Sequence, residues 1–187
     1  MTAPLYVALL HYPVYKKNGE VITTSITPMD IHDIGRSCLT FGVQHYYVIN
    51  HLPVMQFLAR RITGFWQTDY GAKYNQTRTD AMSIVKLEEH LEGCLEDIEK
   101  RHNTPPVLVA TSARIADNSI GYDFLAERLK TEETPHLILL GTGWGMIDEF
   151  IRRCDLLLEP IHGAGEYNHL SVRSAAAIML DRLCGNR

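Results

Sequence analysis

The sequence of residues 137–146 is LILLGTGWGM, an apolar run that ends in a turn containing three glycines. An unbroken apolar run is typical of a strand that is buried on both faces of a parallel sheet. Glycines directly after such a strand let the backbone approach a ligand closely. The turn lies in the last third of the chain, whereas a dinucleotide-binding turn normally lies in the first β-α-β unit. A tight turn without a ligand is the alternative that the glycines alone leave open.

Known nucleotide-binding fingerprints match this turn only in part. A phosphate-binding P-loop requires lysine followed by serine or threonine after its last glycine, and this turn has neither. A Rossmann fingerprint requires a third glycine where Met146 stands, although Glu159 lies at a suitable distance to be its acidic partner. The turn is therefore not diagnostic of an ordinary dinucleotide site, and an unknotted nucleotide-binding α/β domain stays one of the alternatives.

Apolar strands and amphipathic helices alternate along the chain. Strands are predicted at residues 5–10, 44–49, 84–85, 107–111, 136–140 and 155–158. Helices are predicted at residues 28–41, 52–66, 87–101, 121–130 and 146–153 and at the end of the chain, and a loop at 67–80. This alternation predicts an α/β fold, a mostly parallel sheet with helices on both faces. Since no linker or repeat divides residues 1–187, we expect a single domain.

The composition is that of an ordinary globular protein. The formal net charge of −4 argues against a protein that binds nucleic acid mainly by bulk charge, but it permits a local basic patch. The four cysteines are widely spaced and form no C-x-x-C pair, so neither a disulfide framework nor a metal site is expected. The chain shows no leader pattern and no apolar run near the ~18 residues that a membrane helix requires. We therefore expect a cytoplasmic protein without membrane association.

A second distinctive stretch closes the chain, where residues 167–180 are YNHLSVRSAAAIML. Asn168 or Ser171 is a suitable N-cap for a last helix, and backbone amides at such a helix start favour an electron-rich ligand group. The apolar residues from Val172 onward recur at helical spacing and include several alanines, which permit close packing. Between the two stretches lies the loop EPIHGAG at residues 159–165. Because ligands bind beyond the carboxyl ends of parallel strands, we expect these loops to converge on one crevice.

The order of these motifs resembles the SPOUT (SpoU–TrmD) class of RNA methyltransferases. Over nearly its full length the chain is similar to a small bacterial family of SAM-dependent RNA methyltransferases. That family has an H-Y-P-V start and a Y-N-H-L-S-V-R-S-A-A-A-I end, present here at residues 11–14 and 167–178. The resemblance implies an α/β-knot fold, in which the C-terminal segment threads through a loop to form a trefoil knot. It also implies a homodimer, S-adenosylmethionine (SAM) as cofactor, and tRNA or rRNA as a substrate that is methylated on a base or a ribose.

In the SPOUT class, backbone groups of the knot loops hold the methyl donor. Carried onto this chain, the resemblance places the cofactor-binding residues after the 107–111 strand and in three knot loops: Thr111, Ser112, Ala113, Leu140, Gly141, Gly143, Trp144, Gly145, Pro160, Ile161, Gly163, Asn168, Leu170 and Ser171. An adenine ring requires an apolar slot with backbone amides at its edge, and Leu140, Ile161 and Leu170 are suited to line it. Plain core packing is the alternative for Leu140 and Ile161.

The resemblance also implies catalytic residues. Arg36 matches the RNA-contacting arginine of the first SPOUT motif, although Asp30 and Asp33 stand where that motif commonly has asparagine and a neutral residue. An ion pair of Arg36 with one of those aspartates is the alternative. Methyl transfer is a displacement at the sulfonium methyl, for which the enzyme aligns the nucleophile and removes its proton where needed. His11, Asp33 and His169 are the predicted bases, with a structural hydrogen bond as the alternative for each histidine.

Residues 64–78 interleave aromatic residues with lysine and arginine. Such a pattern is typical of proteins that stack single-stranded RNA bases and neutralise the phosphates. An ordered loop whose rings pack on the protein body, or a dimer contact, is the alternative. Our leading hypothesis is a homodimeric SAM-dependent RNA methyltransferase, and a non-catalytic SAM-binding or RNA-binding α/β-knot protein is the second.

Overall fold

The computed structural model describes residues 2–165 and 167–186. Along the chain the elements are β1 (Leu5–Leu10), β2 (Val14–Tyr15), β3 (Val21–Ile22), α1 (Pro28–Thr40), β4 (His45–Ile49), α2 (Pro53–Trp66), α3 (Asp69–Tyr74), α4 (Gln76–Ser83), β5 (Val85–Glu88), α5 (Leu91–His102), β6 (Val107–Thr111), α6 (Tyr122–Thr131), β7 (His136–Gly141), α7 (Asp148–Ile151), β8 (Leu156–Leu158) and α8 (Val172–Cys184). No helix in these described ranges is long and apolar enough to cross a membrane.

Six strands form one parallel sheet in the order β5-β4-β1-β7-β6-β8. The central strand β1 pairs with β4 on one side and β7 on the other, and all six of its residues are buried. Continuous apolar runs form such strands because helices cover both faces of the sheet. Since all six strands run in the same direction, their carboxyl ends lie along one edge. The predicted parallel α/β fold is confirmed.

Alternate strand residues form two cores on opposite faces of the sheet. In β1, Val7 and Leu9 belong to a core that α1, α2, α4, α6 and α8 cover. Ala8 and Leu10 belong to the other core, which α5 and the region of α7 cover. The closing helix α8 buries the apolar face that its spacing predicts: Ala176, Met179, Leu180 and Leu183.

Residues 67–80, predicted to be a loop, form most of two short helices. α3 begins after Thr68 and α4 after Asn75, and each of these side chains accepts a hydrogen bond from the backbone amide three residues on. Such caps satisfy free amides at a helix start, but the same polar residues also favour turns. α4 buries only two side chains, so its sequence carries almost no helical periodicity. The loop prediction is wrong for this reason.

Two helices are shorter than their patterns predict. The helix predicted from residue 87 begins at Leu91, because Leu87 belongs to β5 and pairs with β4. The helix predicted for residues 146–153 is reduced to the single turn of α7. Met146 is instead buried beneath the sheet and forms a β-bridge with Val14. In both cases backbone pairing with a strand replaces the first predicted helical turn.

Candidate cofactor and RNA site

Three loops of the C-terminal half meet at the carboxyl edge of the sheet, where they follow the neighbouring strands β6, β7 and β8. The Asn168 side-chain amide donates a 3.0 Å hydrogen bond to the Ala113 carbonyl, which joins the loop after β8 to the loop after β6. The rings of Trp144 and His169 lie 6.3 Å apart, which brings the loop after β7 to the same place. The structure therefore brings together the loops that the sequence predicts to converge.

The glycine turn at residues 141–146 is covered by the β2–β3 hairpin. The Tyr15 amide donates to the Gly145 carbonyl, and the Trp144 amide donates to the Tyr15 carbonyl, both at 2.9 Å. The Trp144 amide is thereby occupied by the protein itself. The sequence analysis does not predict this contact between the hairpin and the glycine turn. The one feature of the sequence that bears on it is the polar turn at residues 16–19, which lies in the hairpin.

Backbone geometry accounts for two of the glycines without a ligand. Gly143 has a φ of +60°, and a Cβ there would lie 2.9 Å from the Tyr15 carbonyl oxygen. At Gly141 a Cβ would lie 2.8 Å from the Met146 amide nitrogen. Both contacts are too short for a side chain, so the turn and the hairpin themselves require glycine at these positions. At Gly145, with a φ of +93°, a Cβ would meet open space among the described residues.

The loop that follows β8 presents free backbone groups beside an apolar floor. Leu140 and Ile161 are buried in the same core cluster, whereas Leu170 is 46% exposed. The backbone amides of Ile161, Gly163 and Leu170 donate no hydrogen bond to the described residues. Unpaired amides next to apolar side chains are what the edge of an adenine ring requires. These residues therefore fit the adenosine end of SAM.

The residues after β6 have structural partners of their own. The Thr111 hydroxyl donates a 2.8 Å hydrogen bond to the Leu139 carbonyl, and the Ser112 hydroxyl accepts one from the amide two residues on. Ala113 offers its carbonyl to the closing loop, as described above. The Thr111 bond joins the end of β6 to β7. A contact of the three residues with the cofactor stays a prediction.

α8 begins inside the converging loops and is tied to α1. Its N-cap is Ser171, whose hydroxyl accepts a 3.2 Å hydrogen bond from the Ser174 amide. Arg173 lies 3.6 Å from an Asp30 carboxylate oxygen and 3.8 Å from one of Asp33. These two ion pairs link the start of the closing helix to the first turns of α1.

Arg36 lies exposed on α1, one helical turn beyond Asp33. No ion pair joins its guanidinium to a carboxylate of the described residues, and both neighbouring aspartates face Arg173 instead. The alternative that Arg36 is neutralised on its own helix is therefore not what the structure shows. A free guanidinium is the form in which arginine binds a phosphate.

His11 lies directly after β1 and is completely buried. Its Nδ1 is 3.0 Å from the Ile49 carbonyl oxygen, so Nδ1 carries the proton and donates it there. Burial lowers the pKa of the His11 ring, which favours the neutral imidazole. Nε2 has no hydrogen-bond partner among the described residues. Nε2 is therefore unprotonated, as in a general base, but the ring has no access to solvent. In this structure its hydrogen bond to Ile49 connects the end of β1 to β4.

His169 has the opposite environment. It is exposed, and its ring meets the rings of Trp144 at 6.3 Å and Tyr167 at 5.5 Å. Trp144 is itself 55% exposed. Of the two predicted histidine bases, His169 is therefore the one that is exposed beside the converging loops, and its role as a base stays a prediction.

A cavity of about 390 Å³ lies next to these loops, between the loop after β6 and the region of α7. Of the predicted cofactor residues it includes only Ser112. It lacks the glycine turn and the amides described above, so this cavity does not coincide with the predicted donor site.

Comparison with known protein families places the chain among its relatives. A family model described as SAM-dependent RNA methyltransferase matches residues 4–185. The chain belongs to this family. Membership in the SAM-dependent RNA methyltransferase family confirms the cofactor and the class of activity that the closing motif predicts.

Two relatives of this methyltransferase have similar identity but different lengths. A protein of Aquifex aeolicus (strain VF5) named "Uncharacterized protein" is 40% identical over 179 residues, which are 96% of this chain and 87% of the relative. A protein of Nitratidesulfovibrio vulgaris named tRNA (guanine-N(1)-)-methyltransferase is 40% identical over 182 residues. The match covers 97% of this chain but 42% of that protein. The activity in its name is that of the whole relative, and this chain corresponds to less than half of that relative.

Solved structures confirm the fold of the methyltransferase. The SpoU methyltransferase AviRb of Streptomyces viridochromogenes, in complex with AdoMet, has a TM-score of 0.60 at 20% identity and covers 98% of this chain and 58% of that one. A probable methyltransferase of Bordetella pertussis Tohama I has a TM-score of 0.63 at 15% identity, with 97% and 93% covered. At these identities the similarity is one of fold.

Proposed function

We propose that this chain transfers a methyl group from SAM to a base or a ribose of tRNA or rRNA. The observation that carries the proposal is the convergence of the three loops, fixed by the hydrogen bond from Asn168 to the Ala113 carbonyl. Such a site, at the carboxyl edge of a parallel sheet, is where α/β proteins bind nucleotide-like ligands. Family membership supplies the chemical class of donor and acceptor.

In this proposal the backbone of the loops holds the donor. The free amides of Ile161, Gly163 and Leu170 bind the edge of adenine, while Leu140 and Ile161 form the apolar floor. The glycine turn and its hairpin set the wall of the crevice, and the start of α8 closes it. The bound donor supplies an electrophilic methyl on a sulfonium, so the protein has to align the acceptor and exclude water. A trefoil knot, in which the closing segment passes through a loop, belongs to the same proposal.

The acceptor RNA is positioned by exposed side chains. Arg36 binds a phosphate, because its guanidinium has no carboxylate partner among the described residues. His169 lies beside the donor loops and takes the proton from a base nitrogen or ribose hydroxyl, where one has to leave. We assign no proton transfer to His11, since a completely buried ring cannot reach the substrate.

We also propose that the active form is a homodimer. Three apolar side chains at the starts of α1 and α2 are strongly exposed: Met29 (57%), Val54 (63%) and Phe57 (64%). Apolar surface of this kind supports a protein contact. Sedimentation equilibrium of the wild type and of Val54→Glu/Phe57→Glu tests this point. A wild type that stays monomeric at micromolar concentration would refute it.

Calorimetry with SAM and S-adenosylhomocysteine tests the donor site. Gly163→Val is the informative variant, because a Cβ at Gly163 would lie 3.8 Å from the nearest described atom and has room in the protein itself. We expect it to weaken SAM binding at least tenfold without a change in stability, whereas Ala164→Val, at the next exposed position, keeps the wild-type affinity. Unchanged affinity in Gly163→Val would refute the assigned loop.

Transfer of label from methyl-labelled SAM to RNA tests the reaction. The substrate is bulk tRNA and rRNA from a strain that lacks the gene, compared with the same RNA from its parent. Incorporation into the deletion-strain RNA alone supports the proposal. SAM binding without incorporation into either RNA would favour the non-catalytic alternative.

A further inference from the structure

Four aromatic side chains form one cluster where α2, α3 and α4 meet: Phe65, Trp66, Tyr70 and Tyr74, here called the aromatic platform. Tyr70 and Tyr74 stack with ring centroids 6.3 Å apart and an interplanar angle of 13°. Phe65 meets Tyr70 at 6.1 Å, and Trp66 lies 6.4 Å from Tyr74. Rings from two helices therefore form one continuous surface.

Close backbone packing fixes this platform. Gly71, between the two tyrosines on α3, is buried, and a Cβ there would lie 2.5 Å from the Phe65 carbonyl oxygen. α3 therefore approaches the end of α2 as closely as only glycine permits. The Thr79 hydroxyl donates a 2.9 Å hydrogen bond to the Trp66 carbonyl, which ties α4 to the same point. The rings stand on packed helices and not on a free loop.

The outer rings of the platform are in solvent. Tyr70 is 67% exposed and Tyr74 is 71% exposed, while Trp66 is buried against the protein body. Phe65, at 44%, continues the exposed surface. The predicted alternative, in which all the rings pack on the body, therefore holds for Trp66 alone. Exposed rings that are already stacked lose little conformational entropy when a flat ligand adds to the stack.

Positive charge borders the platform and leads to Arg36. The Arg78 guanidinium lies over the Trp66 ring, 4.9 Å from its centroid, and Lys73 is exposed on α3. The His32 ring meets Trp66 edge-on at 5.7 Å. Burial, together with the charges of Arg78 and Arg36, lowers the pKa of that imidazole. His32 thus lies between the platform and Arg36, so the platform and Arg36 belong to one continuous surface.

The cations that border the platform have no ion-pair partner among the described residues. None of Lys73, Arg78 and Arg36 lies within ion-pair distance of a described carboxylate, and Asp33 faces Arg173 instead. The other two carboxylates of this region have local partners of their own: Asp80 accepts a hydrogen bond from Gln76, and Asp69 lies in the first turn of α3. Unpaired cations beside exposed rings are complementary to a polyanion with flat bases.

We propose that the aromatic platform binds single-stranded nucleotides that flank the methylated one. Tyr70 and Tyr74 stack on the bases, and Lys73, Arg78 and Arg36 contact the phosphates. Base–aromatic stacking tolerates any sequence, so the platform supplies affinity and register while the donor loops select the reacting atom. This inference rests on the proposed function. Arg36 marks the end of the surface, and its helix α1 is linked to the donor loops by the ion pair between Asp33 and Arg173.

Fluorescence anisotropy with a labelled oligoadenylate and with an unmodified tRNA transcript tests the platform. Tyr70→Leu and Tyr74→Leu remove a ring each and leave the buried Trp66 in place, so the fold is retained. We expect each to weaken RNA binding about 5- to 150-fold, the range measured for the loss of one stacked base. Tyr70→Phe and Tyr74→Phe keep the ring and therefore keep the wild-type affinity. SAM affinity stays unchanged in all four variants.

Two further variants control this test. Phe124 on α6 is 55% exposed, with Arg128 lying 6.0 Å from its ring centroid, so Phe124→Leu removes an equivalent ring at another site. It leaves RNA affinity unchanged if the platform is specific. Lys73→Gln reduces the slope of log affinity against log salt concentration by about 0.7, the contribution of one single-strand phosphate contact.

The competing occupant is a second copy of the chain, so sedimentation accompanies each binding measurement. Weaker RNA binding at an unchanged association state supports the platform. Unchanged RNA affinity in both leucine variants, or a loss that appears only when the protein dissociates, would overturn it. Failure of the wild type to bind SAM would refute the proposed function instead, while the RNA measurement still decides the platform.

Discussion

Replacing Arg173 by methionine tests how the donor loops are coupled to Arg36. Arg173 faces Asp30 at 3.6 Å and Asp33 at 3.8 Å, and the side chains of Arg173 and Asp30 are only 27% and 13% exposed. Each pair has a Coulomb energy of ~4–5 kcal/mol at an effective dielectric constant of about 20. Desolvation and side-chain ordering offset most of this, so we expect a net loss of ~1–2 kcal/mol in the free energy of unfolding.

Urea denaturation and thermal melting measure this loss. For a chain of this length ~1–2 kcal/mol corresponds to a decrease in Tm of about 2–8 °C. Arg153→Met is the matched control, because Arg153 and Glu149 form a shorter pair of 3.3 Å whose side chains are 76% and 68% exposed. We expect it to stay within about 0.5 kcal/mol of the wild type. Equal effects in the two variants would show that burial does not decide the strength of these pairs.

The same substitution changes RNA binding through Asp33. Without Arg173, the Asp33 carboxylate is free to pair with Arg36 one helical turn on, which competes with a phosphate for the guanidinium. We expect Arg173→Met to weaken RNA binding about 1.4- to 2.3-fold, and Arg173→Met/Asp33→Asn to restore it. RNA affinity that is unchanged in the single variant, or not restored in the double variant, would refute the coupling.

Three further predictions concern the stability of the fold. Asp97→Asn removes the negative charge that Lys86 and Tyr47 bind, and their hydrogen bonds hold the pKa of that carboxyl well below its ordinary value. We expect a loss of ~2–3 kcal/mol near neutral pH, measured by urea denaturation across pH. The loss begins to shrink below about pH 4, where the unfolded wild-type chain takes up a proton at this carboxyl, and it disappears only at the much lower pH at which the folded carboxyl is protonated too. Ser171→Ala removes the α8 cap and costs ~1 kcal/mol, whereas Ser171→Thr keeps it. Gly143→Val forces a side chain against the Tyr15 carbonyl, so thermal melting detects destabilisation before any ligand is added.

The sequence predicts the central sheet because each central strand is an unbroken apolar run. β1 and β7 are buried along nearly their whole length, and such runs fit only a strand covered on both faces. The closing helix is predicted for a similar reason, since its N-cap and its apolar face are both local in the chain. α3 and α4 are missed because their helical state depends on side-chain caps and on packing against α1 and α2, not on periodicity.

The sequence predicts which loops form the site but not which residues of those loops touch. The resemblance correctly predicts that the loops are neighbours. The hydrogen bond between Asn168 and Ala113, which joins two of them, spans 55 residues of chain. No spacing indicates that the hairpin of Tyr15 lies over the glycine turn, because the partners are over a hundred residues apart. The sequence does not predict that His11 is buried either, since a histidine after a strand is found both in crevices and in cores.

α1 departs from the SPOUT motif by two aspartates, and an arginine on another helix forms ion pairs with both of them. Two aspartates, Asp30 and Asp33, precede Arg36 where a neutral residue is common in the class, and alone they would neutralise it. Arg173 on α8 faces both carboxylates, and within the described part of the chain no carboxylate forms an ion pair with Arg36. The four charges sum to zero, but the Arg36 guanidinium is the cation among them that has no ion-pair partner among the described residues. The same ion pairs join α1 to the start of α8, so the residue proposed to hold RNA is mechanically linked to the loop proposed to hold the donor.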